Sequence, residues 1–510
     1  MRLAAPGRGA RPAAGTAAGL AAALLAAACL TAAAAAAGQS ASRPAPAAFD
    51  PDRAVPVEAL REDLEVLWAV LEEGHGGLDR YTPADELRKR FDEAAKGMSG
   101  PLTELEFYRR LLPLVAAVKD GHTHLALSPG AAAHLDSRPV HFPFGLRFLG
   151  DRAYVLRDLS PEEGIEAGAE LLAIDGLPMT KLLAELLALV PSDAGIRTAK
   201  LRRLEHPAVF GRLLALRSGR RESFRVRFRP PGGGEIVDMT VPGIAAGDLD
   251  RALRERYPDA AARRPTYELD FRGATAVLTV RAFGDDPDRT RPRFPEFLEA
   301  AFRSFAEKGT RGLVIDLRGN GGGHDEYGKF LFAHVMDRPF LYYWALETKK
   351  DRYDLFRHTE ETAAAADELA APLRKNARGW FDVLGHPNRG LQTPRQPGFS
   401  GRVAILVDGG SFSATGETTS AFHYHKKAVF FGEECGAGYY GNTSGFMVTA
   451  TLPNTGLRVR VPLVLYTMAV DGYPKDRGIV PDFPVAPTIG DLLAGRDPVM
   501  ERALRYLEKP

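Results

Sequence analysis

GRVAILVDGGSFSATGETTS, residues 401–420, decides how the chain is read. Val403, Ala404, Ile405, Leu406 and Val407 run without a polar break, the pattern of a strand buried on both faces of a parallel sheet. Asp408, Gly409 and Gly410 end that run. Ala414, Glu417, Ala421 and Phe422 then suit a helix over 413–424, which stops before the next apolar run, Ala428–Phe431. A serine at such a junction stands at the positive end of a helix, among N–H groups that have no partner inside it. That setting activates a hydroxyl and stabilises an oxyanion, which makes a serine hydrolase the first hypothesis. Taken alone, a serine such as Ser411 or Ser413 is more commonly just an N-cap.

A second stretch has the same form. In GLVIDLRGNGGGH, residues 312–324, Leu313, Val314 and Ile315 form a buried strand, Asp316 closes it, and Asn320-Gly321-Gly322-Gly323 follows at its C-terminal end. Open α/β sheets bind ligands at that edge, where glycines expose backbone N–H groups. The run lacks the lysine of a phosphate-binding loop and the spacing of a dinucleotide fingerprint. An oxyanion hole is the better reading, built from a glycine N–H and the N–H that follows the nucleophile. A purely structural glycine turn is the bland alternative.

A nucleophilic serine needs a base. Lys426 and Lys427 fall between helix and strand, facing solvent. Among the histidines, His122 in DGHTH stands out on a tight turn; His324, His423 and His425 compete. The i,i+2 pairs His122/His124 and His423/His425 have neither the H-E-x-x-H spacing nor a matching cysteine set, so no metal and no cofactor is expected. Nothing near Cys435 is poised to lower its pKa, which argues against a cysteine nucleophile.

Sixty-six basic and sixty-five acidic residues nearly cancel, so neither a nucleic acid nor an anionic membrane surface is implied as a partner. Arg2, Arg8 and Arg11 precede an uncharged Ala/Leu-rich tract, which predicts a cleaved signal peptide over 1–38 and an exported, periplasmic or extracellular protein. Cys29 in LLAAAC resembles a lipoprotein box displaced by one residue; its lipidation, or retention of the leader as an anchor, would attach the protein to a membrane. A flexible Ala/Pro/Ser linker follows over 39–55. Cys29 and Cys435 are the two cysteines, so loss of the leader leaves one thiol and no intramolecular disulfide.

Three regions are then expected. Residues 56–130 read as helical, with Leu60, Leu64, Leu67 and Leu71 at helical spacing, a capping box at Thr103 and Glu106, and a helix stopped by Gly121. Residues 139–245 read as a small β module with strands near Ala153–Leu156, Ser223–Arg229 and Glu235–Val241. Residues 265–510 alternate strand and helix, the mark of an α/β core. An insertion at 337–400 carries Tyr342, Tyr343, Trp344 and Trp380 and is expected to wall or cover a cleft.

GLVIDLRGNGGG, SFSATGE, GEECGAG and GIVPDFPV (478–485), with DGHTHL at 120–125 ahead of them, resemble in type and order the S41 peptidases, the tail-specific and tricorn-like serine proteases. GIEAGAELLAIDG at 164–176 looks like the PDZ-type module of that family. The resemblance implies a crotonase/ClpP-like α/β spiral core, a polypeptide substrate and a nucleophile at Ser413, with Ala414 N–H and Gly321 or Gly322 forming the oxyanion hole. One branch uses a lysine in G-E-x-x-F-G-K-G; this chain reads GEECGAGYYG, without that lysine. The branch that takes its base from the helical region matches at His122. The family's acidic orienter falls on Lys475 here, which leaves Asp476 beside it, Glu417 or Glu433 to substitute. The expected function is an exported serine peptidase working through a Ser413 acyl-enzyme, with His122 as general base. The alternative is a non-catalytic protein of the same scaffold that binds a peptide or a small apolar ligand. A small-molecule ester or amide hydrolase is disfavoured because G-x-S-x-G is not satisfied around Ser413.

Overall fold

The computed structural model describes residues 49–162, 164–219, 221–359 and 372–508. The leader over 1–38, Cys29, most of the linker over 39–55 and the alanine run at 363–366 lie outside the described residues. No helix among the described residues is long and apolar enough to cross a membrane.

The apolar runs read from the sequence become the middle of a six-stranded sheet. Tyr267–Arg272 pairs antiparallel with Thr275–Val280, and Gly312–Asp316, Arg402–Val407, Val429–Gly432 and Phe483–Pro484 follow in parallel. Ile315 aligns with Ile405, so the two central strands end together at one edge. Phe294–Glu307 and Asp325–Ala333 cover one face with Leu298, Phe302, Phe305 and Leu331, while Val499, Ala503 and Leu507 of Pro498–Glu508 close the other. Each fully buried Leu or Phe there contributes roughly 1.5–3 kcal/mol.

A second sheet is built on the hairpin Gly441–Thr451 and Arg458–Met468, which continues through Tyr343–Thr348, Phe381–Val383 and Leu373–Lys375. This corrects the expectation for the insertion. Part of it is a strand of this sheet: Tyr342 and Tyr343 are buried in the core, and Trp344, 73% exposed, faces away. The short strand His124–Ala126 adds to the same sheet, His124 opposite Arg460. The front of the chain is thereby hydrogen-bonded to its rear.

The helices Val57–Gly74, Ala84–Lys96 and Glu104–Ala116 share one apolar core with Val459, Val461 and Leu463 of the hairpin. Thr103 and Glu106 make the expected capping box. The third helix stops at Ala116, earlier than expected, and the left-handed residue after it is Lys119 rather than Gly121. The middle region holds the antiparallel sheet formed by Phe144–Leu149, Arg152–Asp158, Glu170–Ile174, Ser223–Arg229 and Val237–Pro242. Three helices interrupt it, Met179–Leu187, Arg197–Leu204 and Pro207–Ser218. The sequence reading did not assign these helices, although Pro191-Ser192-Asp193 with Gly195, and then Pro207, punctuate the segment between them.

Candidate active site

The turns after the two central strands lock onto one another. Ser411 Oγ donates to Leu317 O (2.8 Å), Gly319 N to Asp408 Oδ1 (2.8 Å) and Phe412 N to Asn320 O (3.0 Å). Ser411 is committed to that bracing. Ser413 stands next to the brace as N-cap of Ala414–Tyr424, with φ 56° and ψ −129°. A non-glycine residue held there carries strain of about 1–3 kcal/mol, a cost tolerated where the conformation aims a side chain.

Ser413 Oγ lies 3.0 Å from His122 Nε2, across 291 positions of sequence. Phe412 packs beside the imidazole, ring centroids 4.6 Å apart. Burial lowers the His122 pKa; Asp120 opposes that, Arg203 and Arg460 add to it, and the value falls to about 4. His122 is therefore neutral at neutral pH. Its Nδ1 is buried and has no hydrogen-bond partner among the described residues. His423 bonds instead to Tyr439, and His425 packs on Phe332.

Gly322 (φ 104°) touches the serine: a Cβ there would lie 2.7 Å from Ser413 Cβ and 3.0 Å from Ala414 N. Its own N–H donates to Asn320 Oδ1 (2.9 Å). The N–H groups of Gly321 and Ala414 donate no hydrogen bond among the described residues, so these two remain open to a developing oxyanion.

The carboxylates expected to orient the base are not brought to it. Asp476 is exposed in the 471–477 loop. Glu417 is buried one turn beyond Ser413 but receives Asn442 Nδ2 (2.8 Å) and contacts the Tyr343 hydroxyl (2.6 Å). Burial, and then the charge of Asp325, push its pKa up to about 8. Glu433 pairs with Arg202. The carboxylate that does stand by the base is Asp120, two residues from His122, which the sequence reading did not single out although it opens the DGHTH motif. Cys435 is buried and donates to Ser411 O (3.1 Å); burial pushes its thiol up to about 12, far from a thiolate.

A cavity of about 380 Å³ opens beside this centre. Leu112, Val115, Leu127 and Leu213 line it on the helical side, and Gly321 and Phe412 at the nucleophile side. Arg203, Arg212 and Arg458 also line it, so its wall is mixed, apolar for the larger part.

Residues 274–485 match the sequence profile of Peptidase family S41. Carboxy-terminal processing protease CtpB of Bacillus subtilis (strain 168) is 32% identical over 108 residues, covering 19% of this chain and 22% of that protein's length. The chain thus matches about a fifth of that curated relative. Two solved structures share the fold: mature CPAF, with a TM-score of 0.55 at 15% identity over 89% of this chain and 96% of that one, and mature CPAF complexed with lactacystin, at 0.56 and 15% over 89% and 97%. The profile match lies on the strands and turns that carry Ser413 and the glycine loop, and over those residues the chain is similar to the S41 peptidases.

Proposed function

We propose that the protein is a serine peptidase whose nucleophile is Ser413 and whose general base is His122. The observation that carries this is the 3.0 Å approach of His122 Nε2 to Ser413 Oγ, beside two unengaged backbone donors. The Ser413 proton passes to His122 Nε2 as Oγ attacks a peptide carbonyl carbon. The carbonyl oxygen becomes an oxyanion facing the N–H groups of Gly321 and Ala414; each such donor is worth about two to three powers of ten in turnover. His122 then protonates the leaving amine, and water releases the acyl group with His122 again taking a proton. Gly322 shapes the loop and keeps room for the nucleophile.

A polypeptide substrate agrees with the similarity to the S41 peptidases and to CtpB, a carboxy-terminal processing protease. The cavity beside Gly321 and Phe412 would favour an apolar side chain near the cleaved bond. The 139–245 region would act as a PDZ-like module, holding an extended segment by strand addition at an open sheet edge. The leader supports export to the periplasm or beyond, which N-terminal analysis of the mature protein tests.

A fluorophosphonate probe tests the enzyme reading. It should modify Ser413 in the parent and fail on Ser413→Ala, which should also lose peptide hydrolysis. Absence of label under conditions that modify a control protease would overturn it. The cavity favours a second reading, a non-catalytic binder of apolar ligands, which the same unlabelled outcome would support.

A further inference from the structure

The puzzle in the site is its missing acid. For Nε2 to accept the Ser413 proton, His122 must carry its own proton on Nδ1, and that atom is buried without a partner among the described residues. An imidazolium formed there faces Arg203 and Arg460, both unfavourable, and His75. Asp120 is the carboxylate whose charge acts on it in the favourable direction.

Asp120 is buried and fully engaged. Its Oδ1 accepts from His122 N (2.8 Å), Thr123 N (2.8 Å) and Thr123 Oγ1 (3.0 Å). Its Oδ2 accepts from the Thr443 hydroxyl on the core hairpin. One carboxylate therefore clamps the turn that carries the base to the hairpin at the rear of the site.

The arrangement of protons behind Asp120 is fixed by geometry. Gly77 N donates to His75 Nδ1 (3.0 Å), so that nitrogen bears no hydrogen and the ring proton sits on Nε2. Nε2 lies 2.8 Å from Thr123 Oγ1, which must accept it, and the Thr123 hydroxyl is then left to donate to Asp120 Oδ1. The chain His75 → Thr123 → Asp120 runs one way and delivers donors to a carboxylate. Burial works against ionisation of Asp120, but His75, His122 and Thr443 outweigh it and hold the carboxyl well below the usual range. Asp193, which accepts from Gly121 N (2.8 Å) and Gly438 N (3.1 Å), is pushed up to about 6 by burial and by the Asp120 charge. Arg80 and Tyr81 complete the polar groups around these two acids.

We propose that Asp120 is the acidic positioning residue of this site, acting on His122 through the backbone clamp and as the buried counter-charge of the imidazolium, with His75 and Thr123 holding it in place. It does this without touching Nδ1, where an orienting acid would ordinarily bond. The inference rests on the Ser413/His122 reading and adds the third member that the sequence did not supply.

Asp120→Asn separates charge from clamp, because the amide oxygen still accepts from the two backbone N–H groups. The expected result is kcat lower by roughly tenfold or more, one pKa unit of differential interaction being a factor of ten, with KM within about twofold. The acid limb of kcat/KM should move to lower pH, since the group that raises the His122 pKa is gone; Asp193→Asn, run alongside, identifies any part of that limb due to Asp193. A purely structural Asp120 would leave both kcat and the limb at the parent's values, and that result overturns the proposal. If Asp120→Asn does not fold, Thr123→Val decides. It keeps the backbone clamp and loses the hydroxyl, so the acid limb should rise and kcat should fall; parent-like values of both overturn the proposal. Failure of the enzyme reading is distinguishable, because the parent itself would then neither hydrolyse peptide nor take the fluorophosphonate label.

Discussion

Gly121 lies against the ring of Phe412: a Cβ on Gly121 would come 2.5 Å from Phe412 Cζ and 3.0 Å from Asp193 Oδ1. Phe412 precedes Ser413 and Gly121 precedes His122, so the two halves of the candidate site meet without a side chain between them. Gly121→Ala should push the ring away and separate His122 from Ser413. We expect kcat/KM to fall by about a hundredfold, the scale of a misplacement near 1 Å. Thermal unfolding should change much less, and steady-state kinetics beside a melting curve check this.

Gly322→Ala places a methyl group 2.9 Å from Phe412 O as well as against Ser413. The loop must retreat, taking Gly321 N–H with it. The expected loss is about two to three powers of ten in kcat, the cost of one oxyanion donor. Fluorophosphonate labelling should slow in parallel, because that adduct needs the same donors.

The acid limb of activity follows from the buried base. A His122 pKa near 4 keeps the imidazole neutral through pH 5, so kcat/KM should hold from neutral pH down to about 5 and fall below about 4. A pH–rate profile with a midpoint at the ordinary imidazole value, about 6.5, would contradict the burial of this group.

Glu417 governs a different pH effect. The Tyr343 hydroxyl contacts both Glu417 Oε2 (2.6 Å) and Asp325 Oδ2 (2.7 Å) but has one hydrogen, so a carboxyl must supply the other. The raised pKa of Glu417 assigns that proton to it. In the unfolded chain Glu417 ionises near 4.5, and in the folded protein near 8. Its contribution to stability is therefore complete below 4.5 and is lost as pH rises through 8. Glu417→Gln reproduces the protonated form, with oxygen toward Asn442 and N–H toward Tyr343. Melting temperatures measured from about pH 5 to 8.5 should decline less in the variant, which should stay active because Glu417 does not contact His122.

Ser411 and Ser413 should part company when each is changed to alanine. Ser411→Ala leaves Leu317 O and Asp408 N without their bond to the hydroxyl and should cost about 1–3 kcal/mol in denaturant unfolding while retaining activity. Ser413→Ala should be as stable as the parent and inactive.

The primary sequence by itself determined the strands and turns of the core. Unbroken apolar runs at Leu313–Ile315 and Val403–Val407, stopped by glycines, have few alternatives to buried parallel strands, and Ser413 with its glycine loop follows from where they end. Short-range signals of this kind are written in neighbouring residues. Tertiary structure decided which polar groups meet. The expected acids Asp476 and Glu417 lie close in sequence to the motifs at 478–485 and 411–417, yet one faces solvent and the other is bound to Tyr343 and Asn442. Asp120 reaches Thr443 across 323 positions, and His122 reaches Ser413 across 291. Such contacts depend on His124–Ala126 pairing with the Arg458–Met468 strand. Burial likewise set the His122 and Glu417 proton affinities, lowering the one and raising the other, because desolvation disfavours the charged form to an extent that depends on everything packed around the group.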